Sequence, residues 1–589
     1  MNRKRIKGMA LSLIAGILTT TVACSPEPTR TFSEAGPDWV ETKLNEMSLD
    51  EKIGQMFLVG FKGDLGTSAT SVSDHARKMI EDYHVGGIIL FDRNIRDPEQ
   101  VGQLNNDLQK LALSSSPNIP LFISVDQEGG KVARITEGVT EFPGNMALGA
   151  TRDPALAYEA GKRMGSELRA MGINLNLAPS LDVNNNPQNP VIGVRSFSDD
   201  PKLVAGLGTS IMRGFRDGNV LTAVKHFPGH GDTKLDSHID LPQVPHSMER
   251  LEKIELVPFR AAVENDPDMV MTTHITFPAM DPTPGLPATL SKKVLTDLLR
   301  NRWGYQGVII TDDMEMGAIA EHFGTGVAAV RAIQAGADVI LVGHSLNKQE
   351  KAIETVKQAV EKGMISEERI DESVRRILTL KAKRLPGGSI IANPYASIQE
   401  IPRQTSQPET AALSLRIAER SVTLVEDKQK LLPLNPAEVP NLLVLTAAKP
   451  KTFGQVLTEQ GFQATVVPIS KLEKEQIPGL VKKAEQTDAV MVGASGIEPD
   501  SAQAELVLRL KATGKPVVVV GLDTPYDINA LPKDTTYIAA YGSTYPTLQA
   551  VAKAMTGKIP FVGRLPVTVS QTFPFGAGIL THRVTKNSH

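Results

Sequence analysis

Leu221-Thr222-Ala223-Val224-Lys225-His226-Phe227-Pro228-Gly229-His230-Gly231-Asp232-Thr233-Lys234-Leu235-Asp236-Ser237-His238 changes character partway along. An apolar run opens it, and three histidines and two aspartates crowd the fourteen residues from Lys225 onward. Pro228, Gly229 and Gly231 rule out a continuous helix, so the polar side chains are predicted to lie on a loop leaving the end of a strand. Loops at strand ends are where a rigid scaffold displays binding and reactive groups.

The same design recurs on both sides of this stretch. Apolar runs at Gln55–Val59, Gly87–Phe91, Leu121–Asp126, Ile173–Asp182, Thr222–His226, Met269–His274, Val308–Asp312 and Val339–Val342 read as strands. Helical patterns such as Pro154–Met171, Pro201–Asp217, Leu251–Asn265 and Lys348–Lys362 lie between them. Strands that are apolar throughout, rather than alternating, belong to a parallel sheet covered by helices. Eight such units between residues 40 and 385 predict a (β/α)8, TIM-like barrel. Strand after strand ends in polar residues: Asp92-Arg93-Asn94, Asp126, Asp182, Lys225-His226, His274 and Asp312. In a barrel these ends converge on one face, so residues far apart in sequence line one pocket.

Residues 386–411, with Pro386-Gly387-Gly388, Asn393-Pro394, Pro402 and Pro408, read as a linker. Beyond it, at 412–589, strands at Ser421–Val425, Leu442–Thr446, Thr465–Val467, Ala489–Val492, Pro516–Val520 and Tyr537–Ala540 predict a smaller α/β sandwich domain. It carries no P-loop and no dinucleotide fingerprint, so no nucleotide role or other cofactor is expected.

The chain of 589 residues, 41% hydrophobic and 22% charged, has the composition of a globular protein of more than one domain. A net charge of −3 with dispersed Lys and Arg argues against a nucleic-acid partner. Arg3, Lys4, Arg5 and Lys7 precede an apolar stretch, Met9–Leu18, too short to span a membrane, as in a signal segment. That segment ends at Cys24, the single cysteine, and resembles a bacterial lipoprotein signal, with Thr21 standing where such signals usually carry Leu. The resemblance implies signal residues 1–24, lipidation at Cys24, a tether at 25–39 and an exported protein anchored to the cell membrane. An ordinary secretory signal is the alternative. With one cysteine no internal disulfide can form, and stability rests on core burial.

Asp236 and His238, two apart on a loop, form a carboxylate–imidazole pair. An imidazole exchanges protons near neutral pH, and a carboxylate on one ring nitrogen fixes its tautomer. A structural hydrogen bond within a turn is the plain alternative. His226, His230, Asp232, Asp236 and His238 offer enough ligands for a metal, yet their spacing matches no common zinc motif. Asp312, in Gly307-Val308-Ile309-Ile310-Thr311-Asp312-Asp313-Met314, is a carboxylate held at the end of a buried strand, as a nucleophile requires. Alternatively the acidic doublet caps the next helix, a role that suits Asp313.

Taken whole, the Lys225–His238 string with Leu241-Pro242 resembles the signature loop of the bacterial β-N-acetylglucosaminidases of glycoside hydrolase family 3, of the two-domain lipoprotein type. The string around Asp312 resembles that family's nucleophile signature. The resemblance implies Asp312 as nucleophile, His238 as general acid/base and Asp236 as the residue orienting it, with no metal. It further implies a sugar-binding set of Asp126 and Arg134 (in Ser124–Arg134), Arg195, Lys225 and His226. His230 is expected to be structural, and His274 to lie near the pocket without a step of its own.

The resulting expectation is an exo-acting β-N-acetylglucosaminidase that frees terminal N-acetylglucosamine from peptidoglycan fragments by a retaining double displacement. The rivals are a β-glucosidase or β-xylosidase, which usually draws its acid from the second domain, a phosphorylase of the same family, and a catalytically inert glycan-binding lipoprotein.

Overall fold

The computed structural model describes residues 37–63, 66–383 and 385–582. The expected signal segment, Cys24 and most of the tether lie outside the described residues.

Eight strands form the first sheet: β1 (Phe57–Val59), β2 (Gly87–Leu90), β3 (Phe122–Val125), β4 (Leu175–Asn176), β5 (Leu221–Phe227), β6 (Met269–Thr272), β7 (Val308–Ile310) and β8 (Ile340–Val342). Each pairs in parallel with the next from β1 to β7, and β8 returns to pair with β1. A parallel bridge between Ile310 and Val339 closes the ring. The predicted (β/α)8 barrel is thus present, and every residue of the eight strands is buried.

Local chemistry explains where its helices begin. Asp97-Pro98, Asp153-Pro154 and Asp200-Pro201 each place an aspartate at the N-cap and a proline at the first helical position. The carboxylate accepts an otherwise orphaned backbone N–H, and the proline has none to lose.

Two elements differ from expectation. The helix predicted over Leu251–Asn265 breaks into Met248–Lys253 and Leu256–Val263. Pro258 is the cause: it cannot donate to the carbonyl of Ile254, four residues back, and its ring would clash there. The long strand predicted over Ile173–Asp182 shrinks to Leu175–Asn176. Asparagine side chains take over the pairing: Asn174 Oδ1 accepts from Ile123 N at 2.9 Å, and Asn176 both accepts from and donates to the Gln127 backbone. Pro179, lacking an N–H, follows in the same segment.

The second sheet comprises β9 (Thr423–Glu426), β10 (Asn441–Thr446), β11 (Gln463–Pro468), β12 (Ala489–Ala494), β13 (Val517–Gly521) and β14 (Thr536–Ala539). Its order is β9-β14-β13-β12-β10-β11, with only the β9–β14 pair antiparallel. Apolar clusters cover both faces, which makes it the expected α/β sandwich. The stretch read as a linker is partly helical, at Ile401–Gln404 and from Pro408, where a helix runs to Ser421. Leu413 and Ile417 of that helix are buried with barrel residues such as Leu156 and Phe197.

The two domains share a core. Met146, Ala147, Ala150 and Val194 of the barrel are buried in one cluster with Tyr541, Leu565 and Val567 of the sandwich. Arg564 N donates to Ala150 O at 3.1 Å across the junction. An apolar junction of this kind fixes relative position, unlike the polar interfaces of loosely tethered domains.

At the opposite end of the barrel from the strands' polar termini, Lys381 is fully buried, donating to Gln55 Oε1 at 2.8 Å and Gly86 O at 2.9 Å. Burial pushes its pKa down to about 7. The unfolded chain keeps this proton up to the ordinary lysine value while the folded chain gives it up near neutrality, so stability should rise with pH above about 7. Thermal melts at pH 7 and 9 should show this rise in the wild type and a smaller one in Lys381→Met.

Candidate active site

A cavity of about 530 Å³ opens at the C-terminal ends of the barrel strands. Ile89, Leu177, Met271 and Leu341, from four strands or their ends, form its apolar floor, so it ends against the packed barrel interior. Asp126, Arg134, Arg195, Lys225, His226, His238 and Asp312 all line it, and Asp236 stands behind His238. Seven expected residues from distant parts of the chain therefore line one cavity.

Lys225 and His226 are consecutive, and neighbouring side chains on a regular strand point to opposite faces. The pairing of β5 with β6 shifts register between Val224 and Phe227, and this irregularity lets both residues line the cavity.

Glu128, which sequence reasoning did not single out, organises the polar wall. It lies on a short hairpin (Gln127–Gly129 with Val132–Ala133) just past β3. Its carboxylate takes both Arg195 Nη2 at 2.7 Å and Nε at 3.0 Å, and Lys225 Nζ at 2.8 Å. Burial pushes this carboxyl up, but the guanidinium and the ammonium outweigh it and hold it far below the usual carboxylate range. Lys225 Nζ also reaches Asp126 Oδ1 at 2.6 Å. Asp182, noticed in sequence only as a polar strand ending, accepts from His226 Nδ1 at 2.6 Å and from the His230 backbone. Burial raises the Asp182 carboxyl, yet His226 brings it down to about 2. Arg134 borders the cavity 3.6 Å from Asp92, with its Nε buried and without a partner among the described residues.

The acidic doublet divides its work. Asp313 Oδ1 accepts the backbone N–H groups of Glu315 and Gly343, each at 3.0 Å, and Oδ2 lies 3.3 Å from His344 Nε2. It ties the β7 loop to the β8 loop and does not cap the following helix, whose N-cap is Met316. Asp312 Oδ1 accepts only the Asp313 N–H, at 2.8 Å, and its other oxygen has no partner among the described residues. Burial pushes Asp313 up to about 7. Burial also raises Asp312, but the imidazoles of His226 and His274 outweigh it and keep its pKa below the ordinary value. Adjacent carboxyls with separated pKa values take separate roles, and Asp312 is the one kept ionised and free.

On the loop, His238 Nδ1 donates to Asp236 Oδ1 at 2.7 Å, and the His238 backbone N–H donates to the same oxygen at 2.8 Å. His238 is 59% exposed at its side chain. His230 is buried against Ser237 Oγ (2.9 Å) and Thr233 Oγ1 (3.1 Å), and burial lowers its pKa to about 4. His274 is buried, contacting Thr289 and the Asp313 carbonyl. The loop's possible metal ligands are engaged in separate contacts: His226 with Asp182, His230 with Ser237 and Thr233, Asp236 with His238, and Asp232 with His246. Among the described residues the one three-ligand group is Asp232, His246 and Glu255, where Arg250 already contacts both acids.

The sequence profile described as "Glycosyl hydrolase family 3 N terminal domain" matches residues 48–380. Over 89% of its length the chain is 31% identical to Beta-hexosaminidase A of Pseudoalteromonas piscicida, spanning 97% of that protein. It is also 28% identical, over 91% of its length and 96% of the relative, to a Beta-N-acetylglucosaminidase/beta-glucosidase of Cellulomonas fimi. Among solved structures, a glycoside hydrolase family 3 beta-N-acetylglucosaminidase from Paenibacillus sp. str. FPU-7 matches with a TM-score of 0.81 at 42% identity, covering 89% of this chain and 99% of that one.

Replacing Glu128 with Gln would leave Arg195 and Lys225 buried without their shared anion. Denaturant unfolding should show a loss of about 3 kcal/mol, the scale for breaking a buried ion pair. Substrate saturation should show a raised KM. Asp126→Asn, at a position less buried than Glu128, should raise KM with a smaller loss of stability.

Proposed function

The chain belongs to glycosyl hydrolase family 3, and on that premise we propose that it is an exo-acting β-N-acetylglucosaminidase working by a retaining double displacement. The observation that carries this reading is a single cavity holding an Asp312 oxygen without a partner among the described residues and an imidazole already paired with a carboxylate. Asp312 attacks the anomeric carbon as His238 gives its Nε2 proton to the departing oxygen, leaving a glycosyl ester on Asp312. His238, now neutral and oriented by Asp236, takes a proton from water as that water cleaves the ester, and Asp312 is regenerated. Asp126, Arg134, Arg195, Lys225 and His226 grip the sugar hydroxyls, where charged partners make the stronger hydrogen bonds. The cavity's blind floor suits a terminal sugar rather than the interior of a chain. The hexosaminidase names of the relatives support N-acetylglucosamine in that position.

The natural substrate in this proposal is a peptidoglycan fragment bearing terminal N-acetylglucosamine on N-acetylmuramic acid. The basic and apolar start of the chain and Cys24 support export and lipid anchoring near such fragments. Labelled palmitate should enter the wild type and not Cys24→Ala, whose product should move from the membrane fraction to the soluble exported fraction.

Hydrolysis of nitrophenyl N-acetylglucosaminide, with and without phosphate and beside nitrophenyl glucoside, tests the activity. Release of a sugar phosphate would establish phosphorolysis, and a preference for glucoside would establish a glucosidase. Asp312→Ala should reduce turnover to background. His238→Ala should lower kcat/KM by about 10²–10⁴-fold on the natural disaccharide, whose leaving alcohol needs a proton. The loss on a nitrophenyl substrate should be much milder, and equal losses on both would remove His238 as the acid.

A further inference from the structure

The proposed acid/base residue stands on an exposed loop, with neighbours Leu235 and Ile239 51% and 72% exposed. Proton transfer nevertheless needs His238 fixed relative to Asp312 to within a fraction of an ångström. The fixing comes from the segment just after the nucleophile. Gly317 N donates to His238 O at 3.0 Å, and Ala318 N donates to Ser237 O at 3.3 Å. On the loop's other side Ser237 Oγ is held by buried His230.

Gly317 leaves room for this contact. A β-carbon there would stand 2.6 Å from Ile239 O and 2.8 Å from His238 O, both backbone atoms that cannot swing aside. Gly317 is not among the positive-φ glycines, so an alanine would suit its own backbone and only the space forbids it. The path from Asp312 to Gly317 is itself rigid. Asp313 O accepts from Met316 N at 3.1 Å, Asp313 Oδ1 takes Glu315 N, and Glu315 is bound by Ser345.

Resting on the proposed role of His238, we infer that Gly317 is a positioning residue for proton transfer: its bare Cα is the seat that fixes the acid/base loop to the nucleophile's own segment. Filling the seat displaces His238 and leaves Asp312 in place. Displacement on the scale of an ångström costs on the order of a hundredfold in a positioned reaction.

The test measures kcat/KM for the full-length Gly317→Ala protein over aryl N-acetylglucosaminides of graded leaving-group pKa, beside wild type and His238→Ala. Loss should grow from no more than about threefold with dinitrophenol to about tenfold or more with poor leaving groups, a partial copy of the His238→Ala slope. A general loss of folded protein would instead lower the rate by the same factor on every substrate. A wild-type slope, or equal loss on every substrate, overturns the inference. If Gly317→Ala gives no folded protein, Ser237→Ala releases the same loop from its other anchor. It should steepen the slope in the same sense, and an unchanged slope overturns the inference. A flat response in His238→Ala itself would instead refute the acid/base assignment on which the inference rests.

Discussion

Glu128 holds its negative charge out of water, enclosed by Arg195 and Lys225. Moving an ion into a protein interior costs several kcal/mol, and only close, complete pairing offsets it. The three charges belong to three separate segments: the hairpin past β3, the turn Gly193–Arg195, and β5. Satisfying Glu128 therefore sets the distances among all three. Lys225 then reaches Asp126, Arg195 lies 3.3 Å from His226, and His226 is held by Asp182. The polar wall of the cavity is thus one electrostatic unit, and its outer members line the cavity already paired with one another.

The barrel is legible in the sequence because fully buried strands leave unbroken apolar runs, and because their polar ends recur around the ring. The Asp236–His238 pair, the segment around Asp312 and the polar residues that line the cavity are legible as compact motifs. Glu128 is not, since its hairpin strands are too short for any periodicity and nothing about a glutamate two residues beyond Asp126 announces burial. The division between Asp312 and Asp313 is visible only once the β8 loop supplies the Gly343 N–H that occupies Asp313. The helix break at Ile254 was available in principle from Pro258, but the amphipathic pattern running through it is the louder signal.

The site sets stiffness beside exposure. The polar wall and Asp312 belong to strand ends and packed turns, where geometry is set by the core. His238 lies on a loop bordered by solvent, where water would reach it for the second half of the proposed double displacement. A carboxylate two residues away, held by both the ring and the backbone of His238, gives that exposed imidazole a defined tautomer without burying it.

The shared core of the two domains bears on how the chain is made. A polypeptide leaves the ribosome from its N-terminus, and domains tend to fold as they emerge. The last barrel helix ends at Ala382, so all eight strands can close while most of the sandwich is still unsynthesised. Met146, Ala147, Ala150 and Val194 must then wait for Leu565 and Val567, almost the last part of the described chain, to cover them. For the interval in which nearly two hundred residues are added, the newborn barrel carries an open apolar seam beside the turn that holds Arg195. Covering of the turn that holds Arg195 is thereby tied to synthesis of Leu565 and Val567 rather than to closure of the barrel.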